Sequence, residues 1–371
     1  VARAFRCGPR ENRRLDIQKT LIVQRLAYRA RDLCPQLHVS LHARLAQLHV
    51  AITQPRGIAH AFARDLRTAG LDLRAVGSRR LEGARAFAEE FDVARVHGSY
   101  EALAADDEID IVYIATPHPM HAENALLLLE HGKHVLIEKP FTLNADQAIA
   151  VRDLARAKGL LAMEAMWTRY LPHMIRIREI IESGTLGEIR AVFADHTQRI
   201  SDDPAHRLNA LELGGGALLD LGIYPVSFAW DMLGAPTSIT ATARLGGTGA
   251  DTEVATIFTH ASGAVSTTLS SSRAAGPNTA HVVGTEGRID IDRVWYTPTS
   301  FRVTAPDGTV LEEFVSDVEG RGMQFQALAA EETIAGGATD SERLPIDETV
   351  AIMETLDAVR RQIGLRYPEE Q

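Results

Sequence analysis

Two hydrophobic patterns divide this chain. In the first half, short apolar runs at 48–53, 73–76, 111–116 and 135–137 read as buried strands. Between them, 58–68, 81–91 and 122–131 space their apolar residues as one face of a helix does. Strand, helix and strand in that order build parallel βαβ units, and the alternation runs to about residue 163, which predicts a doubly wound parallel sheet. Beyond Trp167 the period falls towards two. The runs 191–196, 238–243, 254–259, 264–270 and 281–283 are alternating or β-rich, with turn signals at Ala261-Ser262-Gly263 and Pro306-Asp307-Gly308. They predict an open antiparallel sheet, closed by a helix over 349–362. The fold class is therefore α/β: an N-terminal doubly wound parallel sheet, then an α+β domain on an antiparallel sheet.

In parallel sheets ligands sit outside the carboxyl ends of the strands. Two groups of residues fall there. Thr116 ends one strand, and Lys139 follows the strand in Val135-Leu136-Ile137-Glu138-Lys139-Pro140, where the proline stops its extension. A lysine so placed is aimed by the sheet and partly shielded from water, which lowers its pKa and suits proton exchange. Asp220 and Tyr224 stand four apart, on one face of a helix. His118 and His121 are three apart, but no third ligand has metal-site spacing, so no metal site is predicted.

Several runs in a fixed order carry a resemblance. Ala115-Thr116-Pro117, Glu138-Lys139-Pro140, the segment 163–169 (Met-Glu-Ala-Met-Trp-Thr-Arg), the glycine-led segment 214–225 and the ending 363–368 resemble the glucose–fructose oxidoreductase / inositol dehydrogenase / MocA (Gfo/Idh/MocA) family. Within it the branch of NADP-dependent D-xylose 1-dehydrogenases and trans-dihydrodiol dehydrogenases is the nearer. The resemblance runs from about residue 50 to the C-terminus. It implies a Rossmann domain over 48–165, a substrate and dimerisation domain over 166–371, and hydride transfer between nicotinamide and a sugar or dihydrodiol hydroxyl carbon. By the same resemblance Lys139, Asp220 and Tyr224 are catalytic, with Tyr224 handling the proton at the reacting oxygen and Asp220 orienting it and the lysine. Gly57, Ile58, Ala59, Ser78, Arg79, Thr116, Pro117, His121, Glu138, Lys139, Trp167 and Arg169 line the cofactor or substrate cleft. Trp167 reads equally as core packing and Arg169 as a structural ion pair. A homodimer through the antiparallel sheet is implied too.

One stretch departs from the family. Its phosphate loop reads Gly-x-Gly-x-x-Ala, and here Gln54-Pro55-Arg56-Gly57-Ile58-Ala59 puts Gln54 and Arg56 where the two glycines belong. The alternative reading is thus a degenerate member that binds a ligand or regulates without turnover. After the second strand, Gly77-Ser78-Arg79-Arg80 lacks the acidic residue that selects a ribose 2′-hydroxyl, and Arg79 suits a 2′-phosphate; NADP is expected, with NAD second. The substrate pocket is expected to be shaped by the loop at 198–208.

Composition narrows the partners. A net charge of −10 argues against nonspecific nucleic-acid binding, and no apolar run is long enough to span a bilayer. The expected partner is a small sugar or diol. Both cysteines, Cys7 and Cys34, lie before the enzyme body, which fits a reducing cytoplasm. The first fifty residues hold ten basic residues against three acidic ones. Residues 1–47 read as an Arg-rich leader outside the fold: a solvated tail or upstream sequence is favoured over a transit peptide.

Overall fold

The computed structural model describes residues 49–54 and 57–370. The leader at 1–47, Leu48 and Arg56 lie outside the described residues. From Val50 onward the predicted alternation is present: β1 (Val50–Thr53), α1 (Ile58–Ala69), β2 (Leu73–Gly77), α2 (Leu81–Phe91), β3 (Arg95–His97), α3 (Tyr100–Ala104), β4 (Ile111–Ile114), α4 (His121–Glu130), β5 (His134–Glu138), α5 (Ala145–Lys158) and β6 (Ala162–Ala165). These six strands stand in the order β3-β2-β1-β4-β5-β6, and every pairing is parallel. All residues of β1 and β4 are buried, as expected where helices cover both faces of a parallel sheet. The strand order reverses between β1 and β4, so a crevice opens beyond their carboxyl ends.

The second half contributes α6 (Pro172–Glu182), β7 (Ile189–Thr197), α7 (Ile223–Leu233), β8 (Pro236–Leu245), β9 (Asp251–His260), β10 (Val265–Ser271), β11 (Ala280–Gly284), β12 (Arg288–Ile291), β13 (Phe301–Thr304), β14 (Val310–Phe314), α8 (Gln324–Ala335) and α9 (Ile346–Ile363). Its sheet runs β14-β13-β12-β11-β7-β10-β9-β8. All neighbours are antiparallel except β7 and β10, which pair in parallel from Val265 opposite Ala191 to Ser271 opposite Thr197. Period-two patterning gives a strand's faces but not its direction. The parallel pair arises because α7, β8 and β9 intervene between the two strands, a crossover that no tight turn could supply.

The inner face of this sheet buries Val192, Ala194 and Val254, and α7 packs on it. Polar groups on this side are sealed in as well. On α6, His173 is 1% exposed, and its Nε2 donates to the Trp295 carbonyl at 3.1 Å; the Trp295 indole donates to the Asp195 carbonyl at 2.7 Å. Burial pushes the His173 pKa down to about 4, with the Trp295 bond opposing only in part.

Because the folded pKa lies below the unfolded value, this neutral ring favours folding above the ordinary histidine pKa, and the benefit fades as pH falls towards 4. His173→Gln should therefore lower the unfolding temperature most at pH 7. The free-energy gap to the parent should narrow by about 2 kcal/mol between pH 7 and 5. Parallel curves in urea melts across that range would mean that His173 takes up its proton as readily in the folded state as in the unfolded one.

Candidate active site

Lys139 leaves the end of β5 and reaches the element before α7. Its Nζ donates to the Asp220 carbonyl at 2.7 Å and to Asp220 Oδ1 at 3.0 Å. The Asp220 carboxylate also accepts both arms of Arg207, at 3.1 and 2.9 Å. Lys139 Nζ lies 5.0 Å from the centre of the Tyr224 ring, and the Tyr224 hydroxyl accepts the Trp167 indole N–H at 2.8 Å. That hydroxyl keeps its own proton free to donate. Behind the lysine, the Glu138 carboxylate accepts the Tyr113 hydroxyl through one oxygen and the Lys139 backbone N–H through the other.

The local backbone makes this meeting possible. Leu218–Gly222 form one wide π-helical turn that runs into α7, bringing both Asp220 and Tyr224 to the lysine. The turn is anchored by buried Asp251, whose Oδ2 accepts the Leu218 N–H at 2.6 Å. Gly216 must be glycine: its φ is 137°, and a Cβ there would run into Asp251 Oδ1.

Electrostatics correct one expectation. Burial alone would lower the Lys139 pKa, as the sequence suggests, but Asp220, Tyr224 and Glu138 outweigh it and the net shift is upward. Burial works against the Asp220 carboxylate, yet Lys139, Arg207 and His118 hold it far below the usual range. His118, 3.9 Å from Asp220, is pushed down to about 3 by burial despite that carboxylate. Burial raises Tyr224.

The crevice at β1 and β4 holds the remaining expected residues. Thr53 at the end of β1 accepts the Ala115 N–H at 3.0 Å, which closes the strand ends together. Gly57, with φ 44°, is the N-cap of α1 and offers no side-chain acceptor, so the first-turn N–H groups of Ile58 and Ala59 face the crevice end of the helix without a cap. Gln54 takes φ 50°, the left-handed conformation that a glycine would occupy. Its side chain accepts the Tyr100 hydroxyl at 3.4 Å, and Tyr100 also faces Arg79, which opposes the rise that burial gives its pKa. Ser78 is buried and accepts the Arg80 N–H, while Arg79 is exposed at the end of β2. Thr116 is 5% exposed and accepts from Asn124 at 3.1 Å, and Pro117 opens the turn that follows. An uncapped helix start, an exposed Arg79 after β2 and a left-handed backbone at Gln54 together fit a phosphorylated dinucleotide.

Two expected residues are bound elsewhere. The His121 ring sits between two carbonyls, Pro140 at 2.9 Å from Nδ1 and Thr116 at 2.8 Å from Nε2, and in the neutral form its single N–H donates to one of them, which fixes the ring between the ends of β4 and β5. Arg169 is 2% exposed and engaged by Ser227, Asp231 and Glu348. Its reading as a structural ion pair is the one the geometry favours. The sequence did not point to His196, which lies 5.0 Å from the Tyr224 ring and stacks on Tyr296 at 3.8 Å. Nor did it point to Arg321, whose guanidinium sits 5.4 Å from the Trp167 ring centre. Inward-facing position on an alternating strand was the one signal for His196.

Comparison with known proteins bears on the family and the fold. Residues 56–166 match the family model "Oxidoreductase family, NAD-binding Rossmann fold", and 174–290 match "GFO/IDH/MocA C-terminal domain". A trans-1,2-dihydrobenzene-1,2-diol dehydrogenase from Mus musculus is 35% identical over 303 residues, covering 80% of this chain and 90% of that protein. The chain belongs to the Gfo/Idh/MocA oxidoreductase family. Another member, an NADP-dependent D-xylose 1-dehydrogenase from Hypocrea jecorina, is 36% identical over 78% of this chain and 80% of its own length. Among solved structures, a 3-ketoreductase from Actinomadura kijaniata in complex with NADP and TDP-benzene superposes with a TM-score of 0.76 at 28% identity, covering 86% of this chain and 98% of that one.

In this Gfo/Idh/MocA member Arg169 should behave as a stability residue. Arg169→Met leaves buried Asp231 with one cation fewer, and should cost about 3 kcal/mol or more, read as a lower unfolding midpoint. A parent-like midpoint with weakened nicotinamide binding would instead make it a cofactor residue.

Proposed function

We propose that this chain is an NADP-dependent dehydrogenase acting on a hydroxyl-bearing carbon of a sugar or a dihydrodiol. The observation that carries the reading is the Lys139–Asp220–Tyr224 cluster beside the crevice at β1 and β4. Residues 48–165 then serve the dinucleotide and 166–371 the substrate. The N–H groups at the start of α1, with Gly57, Ile58 and Ala59, would hold the pyrophosphate, and Ser78 and Arg79 the 2′-phosphate. Thr116, Pro117, Glu138 and Trp167 would border the nicotinamide end, with His121 fixing the strand ends beneath it. Bound there, the cofactor supplies a hydride acceptor or donor.

The protein's own part is proton handling. Tyr224, positioned by Trp167, meets the substrate oxygen, and Lys139 exchanges the proton through it. Asp220 aims the ammonium group and compensates its charge. The elevated Lys139 pKa suits the acid role in reduction directly; in oxidation the lysine must first lose its proton, which a nearby positive charge favours. The preserved backbone at Gln54 removes one ground for a member without turnover.

Fluorescence titration should show tighter binding of NADP than of NAD. Lys139→Met should keep that binding and lose about 100-fold or more in turnover, because proton transfer alone is removed. Normal turnover by this variant would end the catalytic assignment, and failure to bind either dinucleotide would end the dehydrogenase reading.

We also infer a homodimer through the outer face of the second sheet. Phe193, Ile257, Val265 and Leu269 are all exposed on neighbouring strands β7, β9 and β10, where Thr267 pairs with both Phe193 and Ile257. Such an apolar patch on a sheet face marks an association surface. The lack of cysteine after Cys34 supports cytoplasmic residence, and no helix among the described residues is long and apolar enough to cross a membrane. Light scattering should give twice the chain mass for the parent and the chain mass for Phe193→Asp/Ile257→Asp. A monomeric parent would remove this interface.

A further inference from the structure

We propose that Arg207 is a positioning residue for the proton-transfer step: by sharing the Asp220 carboxylate, it limits how tightly that carboxylate holds Lys139 in its ammonium form. The inference rests on the reading of Lys139 as the proton carrier. Arg207 lies between β7 and α7, and its side chain is 57% exposed, whereas the side chains of Lys139 and Asp220 are 12% and 8% exposed. An arginine with that freedom would ordinarily solvate its charge. Here both arms of the fork meet the two carboxylate oxygens, at 3.1 and 2.9 Å, and among the described residues Asp220 is the guanidinium's one hydrogen-bonding partner. One buried anion therefore serves two cations.

The surroundings make this sharing matter. Glu138 at the end of β5, Asp220 in the π turn and Tyr224 on α7 all favour the protonated lysine. His118 faces it from the turn before α4, His121 from the first residue of α4, and His196 from β7. Burial keeps these three rings on the neutral side, with His118 and His196 pushed down to about 3. Arg207 is thus a permanent positive charge set against the ammonium of Lys139, while a second cation, Arg321, lies over the Trp167 ring. Its guanidinium cannot be deprotonated and takes a carboxylate two-handed, so its hold is fixed in both charge and direction.

The sign of the effect follows. Without Arg207 the whole Asp220 charge falls on Lys139, which then binds its proton more tightly. At any fixed pH a smaller fraction of the lysine is free to accept a proton, and the acidic limb of kcat/KM for substrate oxidation moves to higher pH. A substituted cation should restore much of this, since the effect is mainly one of charge.

The chain has four lysines, Lys19, Lys133, Lys139 and Lys158, so a lysine-selective 13Cε label resolves the group directly, with Lys139→Met assigning its signal. In the cofactor-free protein Arg207→Ala should raise the Lys139 titration midpoint by about 0.5 pH unit or more, and Arg207→Lys should return most of the shift. An unmoved or lowered midpoint overturns the proposal. With NADP and substrate present, the acidic limb of the Arg207→Ala profile should move in the same direction. A uniform loss at every pH, with the limb in place, would make Arg207 merely structural and overturns it too. Normal turnover by Lys139→Met would sink the reading beneath this one, while the NMR midpoint still judges Arg207 by itself.

Discussion

The buried pair of Lys139 and Asp220 is the contact on which the site depends. It joins the end of β5 in the parallel sheet to the turn that leads into α7, and both side chains are nearly sealed from water. Removing two charges from water is costly, and a pair is tolerated only when the geometry is good and the remaining hydrogen-bonding capacity is met. Here the ammonium reaches a second acceptor, the Asp220 carbonyl, and the carboxylate finds Arg207. Several features elsewhere follow from this need. The π turn orients Asp220, Asp251 anchors that turn from beneath, and Gly216 makes room for Asp251.

Charge is then kept scarce around the pair. His118 and His196 are held neutral by burial, Tyr224 is pushed away from ionisation, and the Tyr113 hydroxyl engages the Glu138 carboxylate. In a dry pocket each remaining charge acts at longer reach than in water. The position of a single guanidinium can therefore alter the proton affinity of a neighbour that it does not touch. A wetter cluster would screen that influence.

The parallel half was legible because strands buried on both faces must be apolar throughout, and helices with one apolar face must lie between them. The motif around Lys139 was legible for the same reason: a strand end fixes where its next residue points. Strand direction in the second sheet was not, since alternation encodes faces only; the parallel contact of β7 with β10 emerges from long-range pairing. His196 and Arg321 were not singled out because each reaches the site from a different segment; Arg207 lies in the 198–208 loop expected to shape the pocket, but nothing in that loop marked the residue itself. Nothing in the spacing of Arg169 distinguished a cleft residue from one clasped by Asp231 and Glu348. The direction of the Lys139 shift also depends on the distance to Asp220, a residue 81 positions away.

Gln54 shows why a substituted motif does not by itself abolish the structure behind it. Glycine in a phosphate loop serves two ends, a backbone conformation that other residues resist and space for a ligand to approach. At Gln54 the conformation survives without the glycine, at a cost of about 1–2 kcal/mol for an L side chain in left-handed geometry. The conformation of Gln54 must then be imposed by its flanks: the Gln54 N–H donates to the Gly77 carbonyl on β2 at 3.0 Å, and α1 starts at Ile58. The side chain bonds to Tyr100, which also faces Arg79. The glutamine is thus drawn to the same group that meets the arginine expected at the 2′-phosphate. The substitution joins the crevice's polar lining there, and the conformational demand that glycine ordinarily meets is carried by the sheet and helix on either side.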